Sequence, residues 1–350
     1  MLAALLMALT TVPKDPNFSA WGLETLQMIR TKFFSQEIPG YVDAIGNGAQ
    51  EQPAFNWGVG VLLSAMNAAA RSDPAWKKEL RQFVGACQSY WNPAGPVPGY
   101  DVLPMPKQSD RYYDDNAWMA LALTESSQVL NDAKILKHAR RALEFVLSGQ
   151  DDRLGGGIYW REEKKQSKNT CANAPAVAAC LALYRLTGEH ALLESARSLY
   201  SWTKANLQDP SDDLFWDSVS LSGKIGRTKW SYNTALMIRS AAELGEITGE
   251  HSYTADAERM AVASEKKWLV KGRFADVGRF AHLLVESWTY VPDAARMKRA
   301  RAALVWLHDH GRNKNGLYAS RFDNPPDESQ QTFELIDQAS AARAYFVVSQ

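Results

Sequence analysis

Apolar positions along this chain recur at helical spacing and almost never alternate. In residues 76–91 they fall at Trp76, Leu80, Phe83, Val84, Cys87 and Trp91, one stripe of a helical wheel with charged residues opposite. Residues 132–147 repeat the stripe with Ile135, Leu136, Ala139, Leu143, Val146 and Leu147. Residues 253–268 repeat it with Tyr253, Ala257, Met260, Ala261, Ser264 and Trp268. Between these amphipathic segments lie others that are apolar nearly all round, such as "NWGVGVLLSAMNAAA", "DDNAWMALALTESS", "CANAPAVAACLALYRL", "WSYNTALMIRSAAEL" and "LIDQASAARAYFVV". A helix without a polar face is surrounded by protein. The pattern therefore predicts inner and outer helices in alternation, with inner ones starting near residues 55, 112, 171, 230, 278 and 334.

Those starts recur every 50–60 residues or so, the signature of a repeat architecture. Two repeats share the corner Thr-Gly-Glu-His, at 187–190 and 248–251, with Gly188 and Gly249 placed to cap the preceding helices. Six helical hairpins of this kind close into a double-layered ring, an all-α (α/α)6 barrel of six inner and six outer helices, spanning residues 17–350 as one domain. Inner-to-outer links are short, as at 71–74, 131–132 and 291–293. Outer-to-inner links are mostly long, near 36–54, 92–111, 151–170, 207–229 and 312–333. All long loops then gather on one rim, beside the free N–H groups and positive ends of the inner helices.

Composition narrows the function. With 39 basic and 39 acidic residues there is no excess charge to attract nucleic acid. No segment is long and apolar enough to span a membrane; "MLAALLMALTTV" is too short and lacks a positive leading region. Residues 1–16 fit a leading turn or the remnant of a secretory signal. Cys87, Cys171 and Cys180 form no CxxC, and Cys87 and Cys180 lie on apolar helical patterns, so a core role is expected rather than disulfides. The six histidines are scattered; "HDH" at 308–310 has no carboxylate set at ligand spacing and reads as a solvated helix end, so no metal is expected. "LGGGIYW" at 154–160 lacks a following Lys-Ser/Thr and fits a turn that presents Trp160 rather than a phosphate loop.

"RYYDDNAWMALAL" places Asp114 and Asp115 side by side at the mouth of an inner helix. One aspartate suffices to cap a helix; the second adds repulsion. Glycosidic hydrolysis needs two carboxyl groups, and a neighbouring carboxylate raises the pKa that keeps one of them protonated. Sequence spacing does not order their roles or fix their separation. Aromatic residues crowd the same rim: Trp57, Tyr100, Tyr112, Tyr113, Tyr159, Trp160, Phe215, Trp216, Trp230, Tyr232, Tyr318 and Phe322. Sugar C–H faces stack on such rings, and Asn56, Asn116, Asn173 and Asn233 near the helix starts offer polar partners. Packing beneath a loop explains any single one of these aromatics, but explains the whole cluster less well.

The motifs "YYDDNAWMALAL", "LGGGIYWRE", "KNTCANAPAVAACLALYRLTGE", "TKWSYNTALMIRSAAEL" and "LIDQASAARAYFVV", in that order, resemble glycoside hydrolase family 76 over residues 18–350. The resemblance implies an (α/α)6 barrel, no cofactor, and retaining cleavage of α-1,6-mannosidic bonds in α-mannan. It makes Asp114 the nucleophile and Asp115 the acid/base. Asn56, Trp57, Tyr113, Trp160, Asn173, Trp230, Tyr232 and Asn233 are the expected sugar-binding residues. Two departures from the family pattern, Ala235 after Tyr232-Asn233-Thr234 and Ala174 before Pro175, add methyl groups near the expected subsites and leave room for a different substrate. A secreted or periplasmic monomer is expected, with a cytoplasmic location left open. Competing expectations are a transglycosylase or glycan-binding protein on the same ring, or a uronyl hydrolase drawing on Arg111, Arg161 and Arg227. A sugar 2-epimerase fits less well, because only His282 lies on an inner helix.

Overall fold

A computed structural model describes residues 16–38, 40–104, 111–327, 329 and 331–349, so the expected N-terminal segment 1–16 lies almost wholly outside the described residues. Six inner helices, α2 (Asn56–Ser72), α4 (Tyr113–Leu130), α6 (Thr170–Thr187), α8 (Ser231–Thr248), α10 (Gly278–Thr289) and α12 (Leu335–Val348), each touch the next, and α12 closes back on α2. Six outer helices, α1 (Phe18–Phe33), α3 (Lys77–Cys87), α5 (Ala133–Leu147), α7 (His190–Leu207), α9 (His251–Trp268) and α11 (Ala294–His310), pack outside them. Five outer helices cover the inner helix that precedes them. The sixth, α1, covers α12, so the two ends of the described chain complete the last hairpin.

Local chemistry sets the corners. Gly188 and Gly249 end α6 and α8 in the left-handed region, at φ 70° and 73°, and Asn131 does the same for α4 at 48°. Asp132 and Asp293 accept backbone N–H bonds at the starts of α5 and α11. None of the six inner helices has a side-chain cap at its N-cap residue, so their leading N–H groups face the loop rim.

A second device recurs at the rim, at the fourth residue of four inner helices. The Asn116 amide accepts from the Tyr100 N–H at 2.6 Å and donates back to the Tyr100 carbonyl at 2.9 Å. Asn173 does the same with Ile158, at 2.7 and 2.9 Å, and Gln338 with Tyr318, at 2.7 and 3.1 Å. On α8 the Thr234 hydroxyl accepts from the Phe215 N–H. Each clamp ties the loop leaving an outer helix to the inner helix that follows. The loops carry paired segments of only two or three residues, such as Ser167–Asn169 with Ser218–Ser220. Runs this short cannot show alternation, which is why the sequence pattern missed them.

Several expectations change. Tyr100, Tyr159, Phe215, Tyr318 and Phe322 are buried under the loops and line no cleft. Of the 308–310 helix end, Asp309 and His310 are exposed as expected, while His308 is partly covered, its ring stacked on Trp21 at 3.8 Å. Ala174 and Ala235 are buried between helices, so their methyl groups add to packing rather than to the cleft wall. Gly156 and Gly157 let the backbone lie against Trp202, where a Cβ on Gly157 would come within 2.5 Å of the indole. Lys168, fully buried, ties the same turn together through Asp151 and the carbonyls of Arg153 and Gly156.

At the opposite end of the ring, a cavity of about 240 Å³ is lined by Arg71, Glu125, Arg239, Glu243, Glu286 and Arg343, among others. Arg343 of α12 binds both Glu286 oxygens at 3.1 Å, the Ser64 carbonyl at 3.0 Å and Glu125 at 3.2 Å. One guanidinium thus links α12 to α2, α4 and α10.

Candidate active site

Asp114 and Asp115 occupy the first turn of α4, at the rim, where the helix N-terminus favours negative charge. The strand-like approach to α4 is fixed by Tyr113 N–H donating to the Trp160 carbonyl at 3.0 Å, and by Glu162 N–H donating to the Arg111 carbonyl at 2.9 Å. Arg111 grips Glu162 with two bonds of 2.7 and 2.8 Å over the Phe145 ring. This pairing brings Trp160 to the carboxylates. Its indole N–H donates to Asp114 Oδ2 at 3.0 Å, while Asp114 Oδ1 accepts the Asp115 N–H at 3.1 Å. Cys171, on neighbouring α6, is among the groups that act to lower the Asp114 pKa.

The two carboxyl groups are thereby made unequal. Burial raises the pKa of Asp114, and the Trp160 and backbone donors, with Cys171, act against that rise. Burial raises Asp115 further, the Asp114 charge adds to it, and no described donor offsets either effect. Asp114 is the better carboxylate and Asp115 the better acid.

Facing them is an aromatic stack. Phe280 of α10 stacks on Tyr232, with centroids 4.3 Å apart and planes 17° apart; Trp57 lies 5.8 Å from Phe280 and 6.4 Å from Tyr232, and Trp230 leans on Phe280 at 5.3 Å. Trp160 and Trp230 are the most exposed of the predicted aromatics, at 37% and 36%. Asp217 is a further carboxyl raised by burial, with Trp230 and Ser218 acting against the rise. Sequence reasoning missed Phe280 and Asp217. Phe280 occupies the first turn of α10, the same place as the aromatics recognised on α2 and α8, and that position was its only signal.

The expected sugar-binding residues divide. Trp160 hydrogen-bonds Asp114, and Trp57, Trp230 and Tyr232 gather around Phe280. Tyr113 turns away: it is 2% exposed and stacks on Phe145 of α5 at 4.9 Å, so packing replaces the expected sugar contact. Asn173 spends its amide on the Ile158 and Asn169 backbone, so clamping replaces the expected sugar contact there. Asn56 and Asn233 are fully buried in the first turns of α2 and α8, and neither amide has a hydrogen-bond partner among the described residues. Among the described residues no three His, Cys, Asp or Glu side chains are placed to hold a metal ion, and no helix is long and apolar enough to cross a membrane.

Fold and site together define a helical toroid with a carboxylate pair beneath aromatic walls. The chain belongs to glycosyl hydrolase family 76, whose model matches residues 25–279. A GH76 α-mannanase of Bacteroides thetaiotaomicron is 30% identical, with a TM-score of 0.90 over 96% of this chain and 96% of that one. An inactive variant of the α-1,6-mannanase GH76A of Salegentibacter sp. HEL1_6, with two consecutive aspartates changed to asparagine, is bound to α-1,6-mannotriose; it shares the fold at 21% identity and a TM-score of 0.81, over 95% and 99% of the chains. Mannan endo-1,6-alpha-mannosidase DCW1 of Saccharomyces cerevisiae is 26% identical over 165 residues, 43% of this chain and 37% of that protein. The chain spans under half the length of the curated relatives it matches.

Proposed function

We propose that this protein hydrolyses α-1,6-mannosidic bonds of α-mannan with retention, using Asp114 as nucleophile and Asp115 as acid/base. The inequality of the pair carries the reading. Asp114 collects the donors that keep a carboxylate ionised, and Asp115 collects none. In the first step an Asp114 oxygen forms a bond to the anomeric carbon. The C–O bond to the leaving sugar breaks, and the Asp115 proton goes to the departing oxygen. In the second step Asp115 takes a proton from water, the hydroxide oxygen attacks the anomeric carbon, and Asp114 leaves as carboxylate. Trp57, Trp160, Trp230 and Tyr232 offer the stacking faces for the sugars on either side. The names of the relatives support α-1,6-mannan as substrate, and the paired aspartate changes in the Salegentibacter variant support the pair as the machinery. A polymer substrate also favours action outside the cytoplasm.

Product analysis on linear α-1,6-mannan tests this. Wild type should release mannooligosaccharides whose new reducing ends first appear in the α configuration. Asp114→Asn and Asp115→Asn should both lose that activity. On an aryl mannoside whose leaving group needs no proton, Asp115→Asn should keep the first step and Asp114→Asn should not. Wild type inert toward linear mannan, or first products in the β configuration, refutes the proposal.

A further inference from the structure

The cavity at the end of the ring opposite the carboxylates has walls that continue the stripes carrying the active site. Trp118, Leu121 and Glu125 lie one, two and three turns below Asp114 on α4, and Arg239 and Glu243 lie two and three turns below Tyr232 on α8. Trp57, Tyr232 and Phe280 approach one another across the ring above it, and none of them lines it, so cavity and rim are separate compartments. The mouth faces solvent: Arg71, Gln128 and Arg185 are exposed there, while His282, Glu286 and Arg343 are buried further in.

Charge, hydrogen bonding and size select what fits. Arg71, Arg185, Arg239 and Arg343 share the wall with Glu125, Glu243 and Glu286, and Glu246 pairs with Arg185 from outside at 2.6 Å. Guanidinium groups and carboxylates therefore balance, and burial keeps His282 neutral, its pKa lowered to about 4. An ion of either sign would enter without a counter-charge, whereas a neutral polar molecule needs none. Arg343 meets both Glu286 oxygens at 3.1 Å, but Arg239 reaches Glu243 and Glu286 only at 3.4 Å, and its Nη2 has no acceptor among the described residues. Glu243, 5% exposed, has no nearer donor among them either. A guanidinium beside a carboxylate, each with capacity left, suits hydroxyl groups that accept from one and donate to the other. The volume of about 240 Å³ equals about eight waters at ~30 Å³ each, room for one pyranose ring, and Trp118 and Leu283 supply an apolar wall for its C–H face. We propose that this cavity binds a single neutral monosaccharide in its pyranose form, held by Arg239 and Glu243, at a site separate from the catalytic cleft.

The test uses the full chain with ¹⁵N-labelled tryptophan indoles, titrated with D-mannose and, separately, with D-glucose. Trp118 reports on the cavity and Trp160 on the cleft; each signal is assigned by its loss in Trp118→Phe or Trp160→Phe. With at least one of the sugars the Trp118 signal should shift and saturate, with a Kd in the millimolar range, whether or not Trp160 moves. Glu243→Gln should weaken the Trp118 isotherm about tenfold, as expected when a charged acceptor becomes a neutral one, and leave any Trp160 isotherm in place. Ala182→Leu fills the cavity from α6 without touching its charges and should abolish the Trp118 shift, so the reading does not depend on how well Glu243→Gln folds. A Trp118 signal that stays in place with both sugars up to about 0.1 M overturns the proposal and leaves the cavity to water. So does a Trp118 shift that follows the same isotherm in wild type, Glu243→Gln and Ala182→Leu. Neither readout depends on the substrate of the cleft, so loss of the mannanase reading would leave this result standing, and the reverse.

Discussion

Arg343→Met should destabilise the ring strongly at neutral pH and much less in acid. Burial by itself would raise the pKa of Glu286, but the Arg343 and Arg239 charges and the Arg343 hydrogen bonds hold it down, from 4.5 to about 2. That depression corresponds to about 3 kcal/mol of stability. A depressed carboxylate contributes fully above its unfolded value and loses the contribution as pH falls toward 2. In the variant, Glu286 keeps Arg239, at 3.4 Å, and the weaker influence of His282, and burial then pushes its pKa above the unfolded value. The resulting penalty grows as pH rises from the unfolded value through the raised one, and disappears below it. The Ser64 carbonyl also loses its 3.0 Å donor, which adds about 1 kcal/mol.

Urea unfolding followed by tryptophan fluorescence should therefore show a loss of about 3–5 kcal/mol at pH 7, in line with removing one partner of a buried ion pair, and less than half of that near pH 2. The double variant Arg343→Met with Glu286→Leu should recover most of the loss, because no uncompensated charge remains. A loss below about 1 kcal/mol at pH 7, an equal loss at both pH values, or a double variant weaker than the single one would show that the network does not hold the ring in this way.

Three further outcomes follow from the rim. Trp160→Phe removes the 3.0 Å donor to Asp114; kcat/KM at neutral pH should fall at least about tenfold and the acid limb should rise, and an unmoved limb counts against the contact. Gly157→Ala places a methyl group against Trp202 at φ +79°; it should lower the melting temperature by several degrees and reduce activity by shifting the turn that carries Trp160, and a neutral result would show that the turn has room. Because Asp115 is raised above its unfolded value, its ionisation costs stability as pH climbs, so Asp115→Asn should melt higher than wild type at pH 7 while losing activity; an equal or lower melting temperature contradicts the assignment.

The helical ring was legible because its signal is redundant. The predicted inner-helix starts lie within one residue of the observed ones at Asn56, Tyr113, Thr170, Ser231, Gly278 and Leu335. Most starts combine an apolar run, a long loop before it and an amphipathic partner after it; the one at 278 lacks the long loop, and the one at 335 has its partner, α1, at the other end of the described chain. The carboxylate pair was legible for a local reason: two adjacent charges at the mouth of a buried helix are hard to explain by capping alone. The contacts that make the pair unequal were less so. Trp160 could be suspected from its place after the glycines. Its contact with Asp114 depends on the pairing of residues 160–162 with 111–113, about fifty residues away, which no local window contains.

The asparagines show the limit most clearly. Asn56, Asn116, Asn173 and Asn233 look alike in sequence, polar residues in the first turn of an apolar helix. An amide serves a backbone segment and a sugar hydroxyl with the same donor and acceptor, so residue type does not separate the two uses. Position does. The clamps at Asn116, Thr234, Gln338 and Asn173 all occupy the fourth residue of their helices, facing back toward the arriving loop, whereas Asn56 and Asn233 occupy the first and third. The helix boundary has to be known to the residue before that difference appears. Lys168 fails for the opposite reason: a lysine in a polar loop reads as solvent-exposed, and the carbonyls of Asp151, Arg153 and Gly156, with the Asp151 carboxylate, converge on its ammonium group and keep it inside. In both cases the deciding partner is backbone, the part of the chain on which sequence composition is silent.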